Sequence, residues 1–455
     1  MNLESINPAT GARIRSWEGM SDATAAAVLQ CVAHAQTGWH ATPFDVRAKY
    51  LRAVGQALRA QAPELGRLMA QEMGKPLAAG AAEAEKCAWV CDYYADNAAR
   101  QLARQVVQTD AQSSFVCFQP LGVVLAIMPW NYPLWQAFRC AAPALMAGNA
   151  AVLKHAPNVT GCGLAIEALF QHAGLPRDVF RTLVIGNEQC RAVIENPVVN
   201  AVSLTGSVRA GRAVAAQAGA VLKKCVLELG GSDPYVVLED ADLDLAARVC
   251  VAGRFTNSGQ SCIAAKRWIV VEAVREAFQR RVVALIGREK VGDPCAPETT
   301  IGPMARLDLR DALHAQVRVS VAKGATCVLG GTLPPGPGAF YPPTLLTDVR
   351  PGMPAYSEEL FGPVAAIIAA QDEADAVRIA NDTTFGLGGA VFTRNRARGE
   401  RLAAEAIQSG AVFVNQQVKS DPRLPFGGIR DSGYGRELGP FGIREFVNVK
   451  TVSVA

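Results

Sequence analysis

One cysteine in this chain sits where a nucleophile could. Thr256-Asn257-Ser258-Gly259-Gln260-Ser261-Cys262 is a polar, glycine-containing stretch between two apolar segments, so it offers a thiol at the end of a turn. The thiolate is the reactive form, and an unperturbed cysteine titrates at about 8.5, so neighbouring groups must favour ionisation. The bland alternative is an unreactive cysteine used as a small apolar filler. A second candidate is Glu228, carried by the apolar run Val226-Leu227-Glu228-Leu229 into Gly230-Gly231. A carboxylate there must be hydrogen-bonded, exposed at a site, or shifted in pKa, and a pKa raised towards neutrality suits a general base. A strand-end glutamate facing water is the competing reading.

These groups need a scaffold, and the flanking patterns supply one. Leu243 to Phe255 has helical apolar spacing (Leu245, Val249, Ala252, Phe255), and Lys266 to Val271 reads as a strand. From Phe115 onward strands and helices alternate: strand Val123 to Ile127, a helix to about Gly148, strand Ala151 to Lys154, helix Gly161 to His172, strand Arg181 to Ile185, helix Glu188 to Ile194, strand Ala201 to Leu204, and a helix opening near Ser207. That rhythm predicts βαβ units and a parallel sheet, which binds ligands beyond the carboxyl ends of its strands. The residues there are Asn131, Lys154 and Thr205-Gly206-Ser207. Gly206 and Ser207 open a helix whose free N–H groups attract phosphate, and Lys154 can reach ribose hydroxyls. Gly206 to Gly211 nevertheless lacks the GxGxxG spacing and the GK[ST] of a P-loop, so taken alone the phosphate signal is weak and an ordinary N-cap Ser on an ordinary helix is the competing reading.

Residues 22 to 104 read as amphipathic helices broken at Thr42-Pro43 and Gly74-Lys75-Pro76, with nothing chemical in them. After Cys262 a second α/β run follows: strand Trp268 to Val271, helix Val274 to Arg288, helix Leu307 to Lys323, strand Thr326 to Leu329, and a Pro/Gly-rich surface loop from Leu333 to Pro343. Phe446 to Val454 alternates like a strand.

The composition narrows the partner. With 455 residues the chain exceeds one typical core, and a formal net charge of +4 with no long basic run excludes an electrostatic case for nucleic acid or an anionic membrane. The N-terminus has no basic start followed by an apolar run, and no apolar stretch reaches the roughly 18 residues of a membrane span. The 12 cysteines, scattered from Cys31 to Cys327 without a CxxC pair, read as core filler in a reducing compartment, and no metal site is read. A cytoplasmic protein with a small-molecule partner is the expectation. A cysteine hydrolase would need a histidine beside the thiol, and none of the 5 histidines carries that signature.

Taken together, Pro129-Trp130-Asn131-Tyr132-Pro133, Leu153-Lys154, Thr205-Gly206-Ser207, Leu227 to Gly231, Gly259 to Cys262, Glu358-Glu359-Leu360-Phe361-Gly362-Pro363 and Pro425-Phe426-Gly427-Gly428 resemble the aldehyde dehydrogenase superfamily over almost the whole chain. Leu153 to Asn158 and Gly206 to Gly211 bring the likeness nearest to bacterial succinate-semialdehyde dehydrogenases. The resemblance implies an α/β fold with a Rossmann-like dinucleotide-binding domain (1–104 and 121–229), an α/β catalytic domain (230–430), and a small bridging β-hairpin with the C-terminal strand (105–120 and 440–455) that joins subunits into a homodimer or homotetramer. It implies NAD or NADP as coenzyme, with Trp130, Gly206 and Ser207 on the phosphates, Lys154 on the adenosine ribose, and Glu359 and Phe361 on the nicotinamide ribose and ring. Cys262 would attack an aldehyde, Asn131 and the Cys262 N–H would hold the oxyanion, and Glu228 would activate water against the thioester. A carboxylate three residues after Lys154 would repel a 2′-phosphate, but that position is Pro157, which predicts use of both coenzymes.

For the substrate, Arg139 lies about two helical turns beyond Asn131 in an apolar stretch. It is either a structural ion pair or, as its position in succinate-semialdehyde dehydrogenases implies, a bidentate anchor for a carboxylate, assisted by Ser420 and close to Phe426. A second anchor, an arginine six residues before the cysteine in some of those enzymes, is replaced here by Thr256, leaving Lys419 or Arg423 as substitutes. Cys262→Ala should abolish aldehyde oxidation while nicotinamide-coenzyme binding stays nearly intact; normal turnover in that variant would exclude covalent catalysis.

Overall fold

The strand Val123–Met128 shows how the chain is layered. Its side chains alternate, as a pleated strand requires: Val124, Ala126 and Met128 enter one core, Val123 and Leu125 another. Only a sheet covered on both faces makes a strand apolar at every position, and that is the signature of parallel pairing. The computed structural model describes residues 2–455, so Met1, where the N-terminal reading and the first domain range begin, lies outside it.

Two such sheets organise the molecule. The first has the order Gly433–Tyr434, Lys224–Glu228, Val199–Thr205, Val123–Met128, Ala150–His155, Phe180–Thr182, parallel except for Gly433–Tyr434. The helices Phe44–Ala60, Ala62–Met73, Leu77–Gln101 and Trp135–Met146 share one core with one face of this sheet. The second sheet has the order Thr326–Leu329, Thr344–Thr347, Val364–Ala370, Arg267–Val271, Pro234–Val237, Gly388–Phe392, Ala411–Val414, antiparallel only at Thr326–Leu329. It too separates two cores, Val236 and Ile269 facing one and Val237 and Val270 the other.

The expected helix breaks at Thr42-Pro43 and Gly74-Lys75-Pro76 are present, and Gly74 ends its helix in the left-handed region at φ 79°. Several expectations need correction. Asn2–Ile6 and Arg13–Glu18 form an antiparallel hairpin that carries too little alternation to be read, because five of the six residues of its second strand are exposed. The strand expected at 181–185 is Phe180–Thr182, and the helix expected at 188–194 is Cys190–Glu195. Ser113–Pro120 pairs on one side with Gln105–Val106 and on the other, over its whole length, with Val447–Val454.

One buried cation ties the second sheet to the turn that carries the thiol. Arg254, fully buried near the end of the helix Leu243–Phe255, donates to the carbonyls of Val364 (2.5 Å), Leu360 (2.7 Å), Gly259 (3.3 Å) and Gly362. Burial pulls its pKa down to about 9, with Glu359 opposing that shift. Arg254→Met should destabilise the protein by about 3 kcal/mol or more, since several buried carbonyls lose their donor; Arg254→Lys should not restore it, because one ammonium cannot span the fork. Denaturant unfolding of both variants is the check.

Candidate active site

The backbone before Cys262 is strained and pinned. Asn257 (φ 52°), Ser258 (φ 54°) and Gly259 (φ 74°) occupy the left-handed region in succession, which side chains adopt only when the surroundings impose it. The Asn257 amide donates to the carbonyls of Asn131 (2.8 Å) and Gln260 (3.0 Å), Ser258 Oγ accepts from Gly302 N–H (3.0 Å), and Gln260 Oε1 accepts from Ala305 N–H (2.9 Å). Lys266 Nζ donates to the carbonyls of Ser261 and Cys262, both at 2.8 Å. Gly259 has no substitute here: a Cβ would lie 2.3 Å from the Gly362 carbonyl oxygen. The turn thus packs directly on the Glu358-to-Pro363 segment.

Cys262 stands where two cavities meet. One, of about 240 Å³, is walled by Trp130, Asn131, Thr205, Gly206, Ser207, Glu359 and Phe361, all expected site residues or their neighbours. Trp130 and Phe361 meet edge-on with centroids 5.7 Å apart. Glu359 accepts from Gly231 N–H (3.0 Å) and lies 3.4 Å from Lys266 Nζ, so its carboxylate is held at the rim of an apolar slot. Ser207 caps the helix Val208–Ala220 through Ala210 N–H at 3.3 Å. An apolar slot beside a fixed carboxylate fits a planar ring on a ribose diol, and a helix N-terminus fits a phosphate. The second cavity, about 110 Å³, is lined on its far side by Lys86, Trp135, Gln136, Arg139, Ser420 and Phe426.

The surroundings of the thiol disfavour the thiolate in the absence of ligands. Burial pushes its pKa up to about 12, while Arg139 and Lys266 pull the other way and Glu359 and Asp233 add to the rise. Asn131 lies beside it, its amide nitrogen donating to the Gln260 carbonyl at 3.1 Å and its oxygen without a partner. Glu228 is buried, both carboxylate oxygens lack hydrogen-bond partners, and burial holds its pKa well above the ordinary range, with Arg139 opposing and Glu437 reinforcing the rise. It lines neither cavity; Gly427 is close behind it, since a Cβ there would come 2.7 Å from Glu228 Oε1.

Arg139 lines the second cavity together with Ser420 and Phe426, the residues expected beside it. Its guanidinium is fully buried, paired with Glu437, donates to Thr205 Oγ1 at 3.2 Å and lies 4.7 Å over the Phe426 ring. Its ion-pair partner comes from a segment far along the chain, which no local pattern around residue 139 could reveal. An ion pair and a position on the cavity wall are thus combined in one side chain. Arg423, a proposed substitute anchor, is largely exposed and committed to Asp421 at 2.7 Å. Lys154 lies off both cavities, hydrogen-bonded to Asn187 Oδ1 at 2.5 Å, and Glu188 acts on its charge. The sequence reading also missed Arg254, Asn257, Gln260, Lys266 and Asp233; the last is a fully buried acid pushed up to about 7 by burial, with Lys266 opposing. Lys266 and Asp233 were visible as charges bordering apolar strands, the same signal that singled out Glu228.

Arg139→Met should cost about 3–5 kcal/mol of stability by leaving Glu437 buried and unpaired, and Glu437→Gln in the same chain should recover part of it. Thermal unfolding of the single and double variants reads this. Equal stability of Arg139→Met and the unmodified protein would mean that the pair holds nothing.

The aldehyde dehydrogenase family matches residues 1–452 of this chain. The chain is 48% identical over 450 residues to the NAD(P)+ succinate semialdehyde dehydrogenase of Escherichia coli (strain K12), covering 98% of this chain and 97% of that one. It is 48% identical over 455 residues to a probable NADP+ succinate-semialdehyde dehydrogenase of Synechocystis, each covered completely. The crystal structure of the succinic semialdehyde dehydrogenase of Streptococcus pyogenes with NADP+ superposes with a TM-score of 0.97 at 35% identity, over 99% of both chains. A whole-chain match and relatives of this likeness settle the family: the chain belongs to the aldehyde dehydrogenases.

Proposed function

We propose that this chain oxidises a short aldehyde bearing a carboxylate, succinate semialdehyde foremost, to the corresponding acid with NAD or NADP as hydride acceptor. The observation that carries the reading is the thiol at the junction of two cavities, one suited to a nicotinamide riboside and the other small and bordered by positive charge. The likeness to enzymes named for that substrate supports it.

In this reading the Cys262 sulfur attacks the aldehyde carbon, and the proton it gives up passes to a base at the site. The oxyanion of the resulting thiohemiacetal takes hydrogen bonds from the Asn131 amide and the Cys262 N–H; an oxyanion donor of this kind is worth about 10²–10³ in rate. The coenzyme, when bound, accepts the hydride. Trp130 and Phe361 keep water from the slot in which that transfer occurs, and Glu359 orients the ribose. Glu228 then turns from its unpaired seat towards the thioester and takes a proton from water. An unsatisfied buried carboxyl has little holding it in place, which makes that rotation cheap. Because burial raises its pKa, the base form is depleted as pH falls, so turnover should rise with pH.

The coenzyme-binding range 1–104 with 121–229, and the catalytic range 230–430, correspond in this reading to the two parallel sheets. Both NAD and NADP should bind, within about a hundredfold. The small antiparallel sheet exposes Val106, Val449 and Val454, and a second copy of the chain is the fitting cover, giving a homodimer or homotetramer. All 12 cysteines are free, which suits a reducing cytoplasm, and among the described residues no helix is long and apolar enough to cross a membrane.

The test is kcat/KM for succinate semialdehyde against butanal, read at the reduced-nicotinamide absorbance. Preference for the acid-bearing aldehyde is expected, and equal efficiencies would leave only a general aldehyde oxidation. Glu228→Gln should show a burst of reduced coenzyme followed by slow turnover, with the pH dependence flattened; steady-state turnover at the unmodified rate would remove Glu228 from the mechanism.

A further inference from the structure

Arg139 shares its charge with Glu437, and Thr256 stands where a second anchor was expected, which leaves a place for another cation to receive a carboxylate in the second cavity. Lys86, from the middle of the helix Leu77–Gln101, is half-buried in its wall. Its ammonium donates to Ser420 Oγ at 2.7 Å and lies 4.3 Å from the centroid of the Trp135 ring. No carboxylate lies within ion-pair distance of it among the described residues, and each nearby acid is engaged elsewhere. Glu83 is bound by Lys75 and by the N–H groups of Leu134 (2.8 Å) and Trp135 (2.9 Å). Asp421 is held by Arg423 at 2.7 Å. Lys419 also borders the cavity but is exposed to water, where screening weakens its pull on an anion.

We propose that Lys86, oriented by Ser420 and seated on Trp135, binds the carboxylate at the far end of the substrate and so determines which aldehydes the enzyme prefers. This rests on the reading of the second cavity as the substrate chamber. Ser420, whose hydroxyl already accepts from Lys86, can turn its own proton to the incoming carboxylate. Gln136, 2% exposed with its amide oxygen unpartnered, borders the same space and supplies an amide donor once its terminal group rotates. Burial, and after it Arg139, pull the ammonium down to about 8, so it keeps its proton at neutral pH; Cys87, Glu83 and Asp421 act in the opposite direction. An ammonium already partly stripped of water gives up less solvation on meeting a carboxylate than an exposed one does.

The experiment compares the unmodified enzyme, Lys86→Met and Lys86→Arg on succinate semialdehyde and butanal, with succinate as competitor against butanal. In Lys86→Met the preference for succinate semialdehyde over butanal should fall on the order of 100-fold, chiefly through KM, and succinate should cease to compete. Lys86→Arg should recover most of both. If Lys86→Met folds poorly, Ser420→Ala, which removes the orienting hydroxyl, should lower the same ratio to a smaller degree. An unchanged ratio in Lys86→Met, or a loss seen in Lys419→Met instead, overturns the proposal. Equal efficiencies in the unmodified enzyme would overturn the succinate-semialdehyde reading separately. The competition arm would still report on Lys86 then, since succinate competing equally with and without the lysine defeats it.

Discussion

The arrangement depends first on the Arg254 guanidinium and the carbonyls it gathers. Arg254 gathers four peptide oxygens from two separated stretches of chain, and a buried carbonyl left without a donor carries a penalty of about 1–3 kcal/mol. By satisfying them from one side chain, the helix Leu243–Phe255 brings the turn before Cys262 against the segment that carries Glu359 and Phe361. Without that contact the left-handed run from Asn257 to Gly259 would relax, and the thiol would lose its place between the cavities. Nucleophile and coenzyme wall are therefore one mechanical unit, although about a hundred positions separate them in the chain.

The sheets explain where that unit lies. Asn131, Gly206, Ser207 and Leu229 follow the carboxyl ends of strands in the first sheet, as the rule for open parallel sheets requires. Cys262, Glu359 and Asp233 precede the strands Arg267–Val271, Val364–Ala370 and Pro234–Val237, at the amino edge of the second sheet. The site is the seam between these two edges. Buried charge collects there: Arg139 with Glu437, Lys266 with Glu359, and the acids Asp233 and Glu228, whose pKa values burial raises. Low dielectric strengthens each interaction and makes protonation, rather than exposure to water, the means by which surplus negative charge is relieved.

Much of this was legible in the sequence. Period and punctuation located the parallel strands, and a thiol in a polar turn, a carboxylate in an apolar strand and an asparagine after a strand marked three residues that come together or lie close by. What stayed hidden had a common cause. Arg139 was read from its own helix, and its partner is 298 positions away. Lys86 was passed over because it occupies an ordinary amphipathic helix, and only tertiary packing turns that face into the wall of a cavity. Lys154 faces Asn187 rather than the slot, a matter of side-chain direction that strand position alone does not decide. The second sheet's amino-edge chemistry was hidden by a rule that holds for the first sheet only.

The second cavity has a consequence for how such a protein diversifies. Its wall takes Lys86 from a helix near the N-terminus and Ser420 and Phe426 from a segment near the C-terminus, beside Trp135, Gln136 and Arg139 of the helix that follows Asn131. Mutational drift in those outlying segments can reshape what enters without disturbing the bond-making centre. Part of the selectivity is thus inherited away from the chemistry, and a lineage can explore new substrates while its reaction stays constant.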